Sequence, residues 1–76
     1  MLKEQAFGYD ICYRRVKHTN ELVINGNVYD EIEAVVEFPH MLQAYLEGHR
    51  ITAGYNGVQS FILVDDQTVA KKVRLI

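Results

Sequence analysis

The chain has 76 residues, of which 49% are hydrophobic and 24% are charged, and its formal net charge is −2. A chain of this length buries only roughly 60% of its unfolded surface, which excludes a large enclosed active site. The apolar content excludes a disordered chain, and a single cysteine excludes an internal disulfide framework and a CxxC motif. We therefore expect one folded domain over residues 1–76.

The compartment follows from the same features. Cys12 as the lone cysteine favours a reducing environment, and the chain has neither a signal-peptide-like start nor ~18 consecutive apolar residues. These features predict a cytoplasmic location with no transmembrane segment in this chain, and they are compatible with a place at the inner membrane surface.

The first predicted element lies in FGYDICYRRV. Phe7, Tyr9, Ile11 and Tyr13 alternate with smaller or polar residues, and this period of two is typical of a half-buried strand.

A hairpin follows in VINGNVYDEI. Asn25 and Gly26 tolerate the positive φ angles that a two-residue hairpin turn requires, so the segments on either side are predicted to pair. The next run, VYDEIEAVVEF, alternates again and is predicted to end before Pro39, which cannot donate to a ladder. Its apolar face consists of Val28, Ile32, Ala34, Val36 and Phe38.

The segment PHMLQAYLEG allows two interpretations. Pro39 near a first turn and Gly48 at a C-terminal end are compatible with a short helix over 40–47. Glu47 and Gly48 are also compatible with a hairpin turn, which makes residues 41–46 a strand.

Register supports the strand interpretation, because paired residues must share a face. Turns centred on 47–48, 56–57 and 65–66 pair Ala44 with Ile51, Ile51 with Ile62, and Ile62 with Val69. Together these turns place eleven apolar residues on one predicted core face: Leu42, Ala44, Leu46, Ile51, Ala53, Tyr55, Val58, Ile62, Val64, Val69 and Val73.

The predicted fold is therefore all-β: an antiparallel meander of about six or seven short strands, forming a bent sheet or a small barrel. The alternative is an α+β fold with the short helix at 40–47. The sequence pattern alone reveals no internal repeat.

The run EFPHMLQAYLEGHRITAGYNG, together with the ending VAKKVRLI, resembles a small uncharacterised β-rich domain of Gram-positive, bacillus-type bacteria, some of whose members are membrane-associated. The resemblance covers residues 4–76 and rests on turn and strand residues. It implies a β-rich domain and no functional site.

The residues that carry chemistry form no catalytic or metal-binding motif. The histidines lack metal-ligand spacing, and His40 and His49 would stand at opposite ends of one strand. Glu31 and Glu33 are typical of a solvated strand face, and nothing near Cys12 would activate its thiolate. We therefore expect no enzyme activity, no cofactor and no metal site.

Charge is the informative feature of the sequence. Residues 1–20 have net charge +2 and residues 67–76 have +3, whereas residues 21–66 have −7. If the first and last strands are neighbours, the basic residues gather on one side and the acidic residues 30–37 face away. The predicted patch for an anionic partner consists of Arg14, Arg15, Lys17, Lys71, Lys72 and Arg74.

These features predict a non-catalytic binding or assembly module, and the resemblance implies that it is the soluble part of a membrane-associated protein. Its partners would be a second copy in a homodimer, since a meander leaves edge strands, and an anionic membrane surface or another protein. The alternative is a small nucleic-acid-binding barrel in which Tyr9 and Tyr13 stack bases. A sequence pI of about 5.8 makes nucleic acid the weaker choice.

Overall fold

The computed structural model describes residues 1–73, which form eight antiparallel strands in two four-stranded sheets, each with its strands in chain order. The first sheet contains β1 (Leu2–Ala6), β2 (Tyr9–Val16), β3 (Thr19–Ile24) and β4 (Asn27–Glu33). The second contains β5 (His40–Leu46), β6 (His49–Tyr55), β7 (Gln59–Val64) and β8 (Gln67–Val73). The all-β meander is confirmed, with eight strands rather than six or seven, in two sheets rather than a closed barrel.

Three predicted turns are confirmed, at 25–26, 47–48 and 65–66. Each leads directly from one strand to its antiparallel neighbour, and both residues of each turn have positive φ, for example 51° at Asn25 and 83° at Gly26. Because Glu47 and Gly48 form a hairpin turn and residues 40–46 a strand, the helix alternative is wrong.

The turn predicted at 56–57 is centred one residue later. The Asn56 amide donates to the Gln59 carbonyl, and the Asn56 side chain accepts hydrogen bonds from the amides of Val58 and Gln59. Ile51 therefore pairs with Val64 instead of Ile62. The pairing shifts by two residues, so each side chain stays on its predicted face.

The predicted pairing of β7 with β8 is interrupted by a bulge. The register shifts between Ile62 and Leu63, so Ile62 pairs with Ala70 rather than Val69. Beyond this bulge Ser60 pairs with Lys72 instead of Lys71. A one-residue shift exchanges the two faces of a strand, and it turns Lys72 toward the other sheet.

The core lies between the two sheets. It combines Ile11, Tyr13, Leu22 and Ile24 of the first sheet with Leu42, Ile51, Ile62 and Val64 of the second. Nine of the eleven residues predicted for the second half are buried or pack against this cluster. The exceptions are Val58 and Val73, which are 61% and 51% exposed because they lie in a turn and at a strand end.

The upstream predictions need two corrections. β4 ends at Glu33, and Val28, Val36 and Phe38 are exposed rather than buried. A bulge beside Val23 shifts the register near Val28, and Val36 and Phe38 belong to the segment 34–39 that crosses between the sheets. Phe7 lies in a turn and is also exposed, whereas the alternation predicted a buried residue.

The two sheets are copies of one structural pattern with an offset of 40 residues, which sequence analysis missed. Positive φ angles recur at 7 and 47, 8 and 48, 17 and 57, 25 and 65, and 26 and 66. The bulge between Leu22 and Val23 recurs between Ile62 and Leu63. Met1, Leu2, Gly8 and Ile11 have identical counterparts 40 positions later, but this identity is too sparse to reveal the repeat.

This repetition gives the molecule two distinct ends. The hairpin end carries the turns at 7–8, 25–26, 47–48 and 65–66. The loop end carries the start of β1, the turn at 17–18, the connection 34–39, the turn at 57–58 and the end of β8. Contacts between the sheets join like ends: Phe7 lies 5.0 Å from His49 at the hairpin end, and the Tyr13 hydroxyl lies 2.7 Å from His40 at the loop end.

The edges of the sheets meet in two seams. β1 lies beside β8 in the first seam, and β4 lies beside β5 in the second. In the second seam the Asp30 carboxylate accepts a hydrogen bond from the Gln43 amide at 3.0 Å, which occupies one edge donor of β5. The homodimer expected from open edges stays a prediction.

Gly54 provides a test of the close approach between β5 and β6. A Cβ atom at this position would overlap the His40 carbonyl oxygen and stand 3.0 Å from Met41 Cα. We expect Gly54→Ala to lower the free energy of unfolding by about 3 kcal/mol, as overpacking against backbone does. Urea unfolding measures the change.

Gly48→Ala is the control, since a Cβ there meets nothing within 4 Å and only the positive φ is strained. Its cost should be about 1 kcal/mol. Equal losses in the two variants would contradict the packing argument.

Candidate functional site

The seam cleft lies at the loop end of the first seam. It has a volume of about 470 Å³, and its polar lining includes Tyr13, Arg14, Arg15, Glu37, Ser60 and Lys72. Met1, Leu2 and Val73 add apolar walls. The structure thus places three of the six predicted basic residues around one depression.

The local fold explains how these cations meet. Arg14 and Arg15 are adjacent on β2 and point to opposite faces of the first sheet. Lys72 approaches from the second sheet because the bulge in the β7–β8 pairing turns it toward the seam. A strand without the bulge would present Lys71 there instead.

Arg14 is held from one side only. Its Nε donates to Glu21 at 2.8 Å, and this hydrogen bond is the main reason that the pKa of Arg14 lies above its ordinary value. Four further N–H groups of the guanidinium point away from that bond. Arg14 can therefore keep its partner and still bind an anion.

Arg15 fastens the 34–39 connection to the first sheet. Its guanidinium donates to Glu37 at 3.1 Å and to the carbonyl oxygens of Ala34 and Val35. Asn20, which is fully buried, donates to the same Glu37 oxygen at 3.0 Å. The carboxylate of Glu37 is thereby compensated by a cation and a neutral donor.

Tyr13 and His40 join the two sheets below this network. The Tyr13 hydroxyl lies 2.7 Å from His40 Nε2, and His40 Nδ1 lies 2.7 Å from the Phe38 carbonyl oxygen. A carbonyl oxygen only accepts, so Nδ1 carries the proton, and in neutral His40 Nε2 accepts from Tyr13. The chain of bonds ends on the backbone, which suits a structural link between the sheets.

The remaining basic residues take separate positions. Lys17 is exposed in the turn at the loop end with a φ of 58°, and Lys71 is exposed on β8 opposite Phe61. Arg74 lies outside the described residues. The expectation that residues 30–37 face away from the basic side is wrong for Glu37, because it pairs with Arg15.

The hairpin end carries a second cluster, of opposite charge. His49 Nδ1 donates to Asp65 at 2.7 Å, and Asp65 also accepts from the Arg50 amide at 3.0 Å. These bonds, with that from His49 the larger, hold the pKa of Asp65 below its ordinary value. The ring of Phe7 lies over His49 at 5.0 Å, so the cluster fastens the first sheet to the second.

Two neighbouring groups complete this cluster. Arg50 pairs with Asp66, and this hydrogen bond raises the pKa of Arg50. The pKa of Tyr9 is raised by burial and by a hydrogen bond with Glu47.

Exposed apolar side chains concentrate at the loop end. Among residues 1–73 twelve large apolar side chains are exposed, and only Phe7, Val28, Tyr29 and Tyr45 belong to the hairpin end. The other eight surround the loops: Met1, Val16, Val35, Val36, Phe38, Met41, Val58 and Val73. Val35 and Val36 are the most exposed of the connection, at 73% and 77%.

Tyr9 and Tyr13 are only 8% and 2% exposed, so these rings cannot stack bases as the nucleic-acid alternative requires. Within the described range no three His, Cys, Asp or Glu side chains group in a way that could hold a metal ion. The same range contains no helix long and apolar enough to span a membrane.

Sequence reasoning missed Asn20, Glu37 and His40 as parts of the site. Their contacts join residues 17 to 27 positions apart in the chain, which no local pattern records. Asn20 did carry a signal, since it is a polar residue at an inward position of β3, beside the buried Leu22 and Ile24.

No protein-family model matches the chain, and comparisons with curated proteins and with solved structures gave no match.

The Tyr13–His40 link can be tested by removing one hydroxyl. Tyr13→Phe leaves the ring in place but deprives His40 of its donor, so we expect a loss of about 1 to 2 kcal/mol in the free energy of unfolding. Tyr29→Phe is the matched control, because Tyr29 is 43% exposed. Chemical denaturation of both variants measures the change in the free energy of unfolding, and an unchanged midpoint for Tyr13→Phe would contradict the link.

The pH dependence of stability tests Asp65. A carboxyl group whose pKa is depressed in the folded state stabilises the fold above its unfolded pKa, and this contribution disappears as the pH falls through the folded pKa. We expect the wild type to lose stability below about pH 4 more steeply than Asp65→Asn. Asparagine also tolerates the φ of 51° at this turn position.

Thermal melts between pH 2 and pH 7 give the comparison. Parallel curves for the two proteins would show that Asp65 contributes no pH-dependent stability.

Proposed function

We propose that this protein is a non-catalytic binding module that docks onto an anionic membrane surface with its loop end. The observation that carries the proposal is the concentration of eight exposed large apolar side chains at this end. Exposed apolar residues scattered over a surface need no explanation, but their concentration at one end of the described residues favours an interaction surface there.

The charge of the loop end favours an anionic membrane as its partner. Lys17 and Lys72 lie among the exposed apolar residues of the loop end, and Arg14 borders them. Apolar side chains beside lysines suit the interface of an acidic leaflet, where each basic residue contributes about 1 kcal/mol. The hairpin end, with Glu47, Asp65 and Asp66, would face away from such a surface.

The fixed conformation of the 34–39 connection also suits docking onto a membrane. The connection 34–39 contains the exposed residues Val35, Val36 and Phe38. It is fastened by Arg15 through Glu37 and two carbonyl groups. A fastened loop loses little conformational entropy when it inserts between headgroups. The resemblance to a domain that occurs in membrane-associated proteins points in the same direction.

A non-catalytic role is supported by the state of the titratable groups. Tyr13 and His40 bond to each other and to the backbone, and Arg15 and Glu37 bond to each other. The first pair joins the two sheets and the second fastens the 34–39 connection, and Tyr13, whose hydroxyl bonds to His40, is only 2% exposed and so is closed to a substrate. The cytoplasmic side of a membrane is the location that this proposal implies.

Val36→Ser tests the proposal, because Val36 is 77% exposed and supports no packing. We expect wild-type protein to co-sediment with vesicles containing phosphatidylserine and not with neutral phosphatidylcholine vesicles. The variant should bind about fivefold more weakly, which corresponds to about 1 kcal/mol of apolar burial. Tyr45→Ser, at a 70% exposed site of the hairpin end, should bind like the wild type.

Two other results would overturn the membrane proposal. If the protein sediments as a homodimer that Val36→Ser dissociates, and binds no vesicle, the loop end is covered by a second copy. If instead a single-stranded oligonucleotide binds with steep salt dependence and vesicles do not, the partner is a nucleic acid.

A further inference from the structure

We propose that the seam cleft between β1 and β8 binds the terminal phosphate of an anionic lipid headgroup. The lipid as the source of the phosphate rests on the proposed docking of the loop end, whereas the phosphate chemistry rests on the cleft itself.

The internal repeat provides the first argument. Each position of the first seam has a counterpart in the second seam, 40 residues later or earlier. Several positions that build the fold are alike in both halves: glycine occupies 8 and 48, isoleucine occupies 11 and 51, and Leu22 corresponds to Ile62. The second seam therefore shows what this fold requires of a seam.

The cations of the cleft have no cationic counterpart in the other half. Arg14 and Arg15 correspond to Gly54 and Tyr55, and Lys72 corresponds to Ile32. Arg15 has a structural role, since it fastens the 34–39 connection, but the second seam is built without a counterpart of Arg14 or Lys72. Two cations that fasten no connection, Arg14 and Lys72, point to a ligand instead.

The donors of the cleft suit a phosphate group. Lys72 supplies a compact ammonium group and forms no ion pair with any residue between 1 and 73. Arg14 keeps guanidinium N–H groups beyond the one that Glu21 occupies. A guanidinium fork beside a lysine is a typical arrangement for a doubly charged phosphomonoester.

Glu37 does not cancel this charge. Its carboxylate accepts hydrogen bonds from Arg15 and Asn20. The negative charge of Glu37 is therefore compensated by Arg15, which also lines the cleft. Arg14 and Lys72 remain to attract an anion. Glu21, which lies outside the cleft lining, bonds only the Nε side of Arg14.

The position of the cleft identifies the phosphate as part of a lipid. Met1 and Val73 line it and are themselves 73% and 51% exposed, on the same end as Val36. A molecule that places phosphate between Arg14 and Lys72 has apolar side chains beside it, as a headgroup with its acyl chains does. A small soluble phosphate ester would leave these apolar residues without a partner.

The test compares Lys72→Gln with Lys71→Gln. Both lysines are exposed neighbours on β8 with the same charge, but only Lys72 lines the cleft. With vesicles containing phosphatidic acid, we expect Lys72→Gln to weaken binding at least fivefold and Lys71→Gln by less than twofold. With phosphatidylserine vesicles of matched surface potential, the two variants should be equal.

Inorganic phosphate provides the second arm of the experiment. It should shift the backbone amide resonances of Ser60 and Lys72 in the wild type, and Lys72→Gln should abolish the shifts. Equal effects of the two substitutions on phosphatidic acid binding, with no phosphate-dependent shifts, would overturn the inference and leave membrane docking intact. Phosphate-dependent shifts without any vesicle binding would overturn the lipid source and, with it, the proposed function.

Discussion

The structure depends on one interaction, the burial of two apolar sheet faces against each other. Neither four-stranded meander has a core of its own, because a single sheet exposes both of its faces. Ile11, Ile24, Ile51 and Ile62 are at most 1% exposed only because each sheet covers the other. At about 25 cal/mol per Å² of apolar area, this contact supplies most of the driving force available to so short a chain.

The two faces are related by an internal repeat, and this explains how a short chain builds a sandwich. Each half contains the same sequence of turns and the same bulge, so the two inner faces have matching shapes. Packing one meander against its counterpart also makes the two seams equivalent. Equivalent positions that do not form the shared turns, bulge or core can carry different residues in the two halves. The cations of the first seam are such a difference.

Polar contacts at the two ends then decide what each end of the molecule presents. At the hairpin end, His49 and Asp65 bond beside the ring of Phe7. At the loop end, Arg15 and Asn20 hold Glu37 and thereby fix the connection from which Val35 and Val36 project. The apolar exposure of that end is therefore built into the fold, since these valines flank a connection that must cross from one sheet to the other.

The sequence by itself determined the local structure of this protein. A two-residue hairpin turn requires positive φ, which the pairs Asn25–Gly26 and Glu47–Gly48 signalled, and alternation assigned Tyr9, Ile11 and Tyr13 to a buried face; both signals depend only on neighbours in the chain. The tertiary structure alone decided which residues meet across the sheets. The bulge beside Ile62 selects Lys72 rather than Lys71 for the cleft, and Glu37 reaches Arg15 across 22 positions. Local periodicity carries no record of a one-residue shift in pairing or of a contact between distant segments, because both are set by how the completed sheets pack.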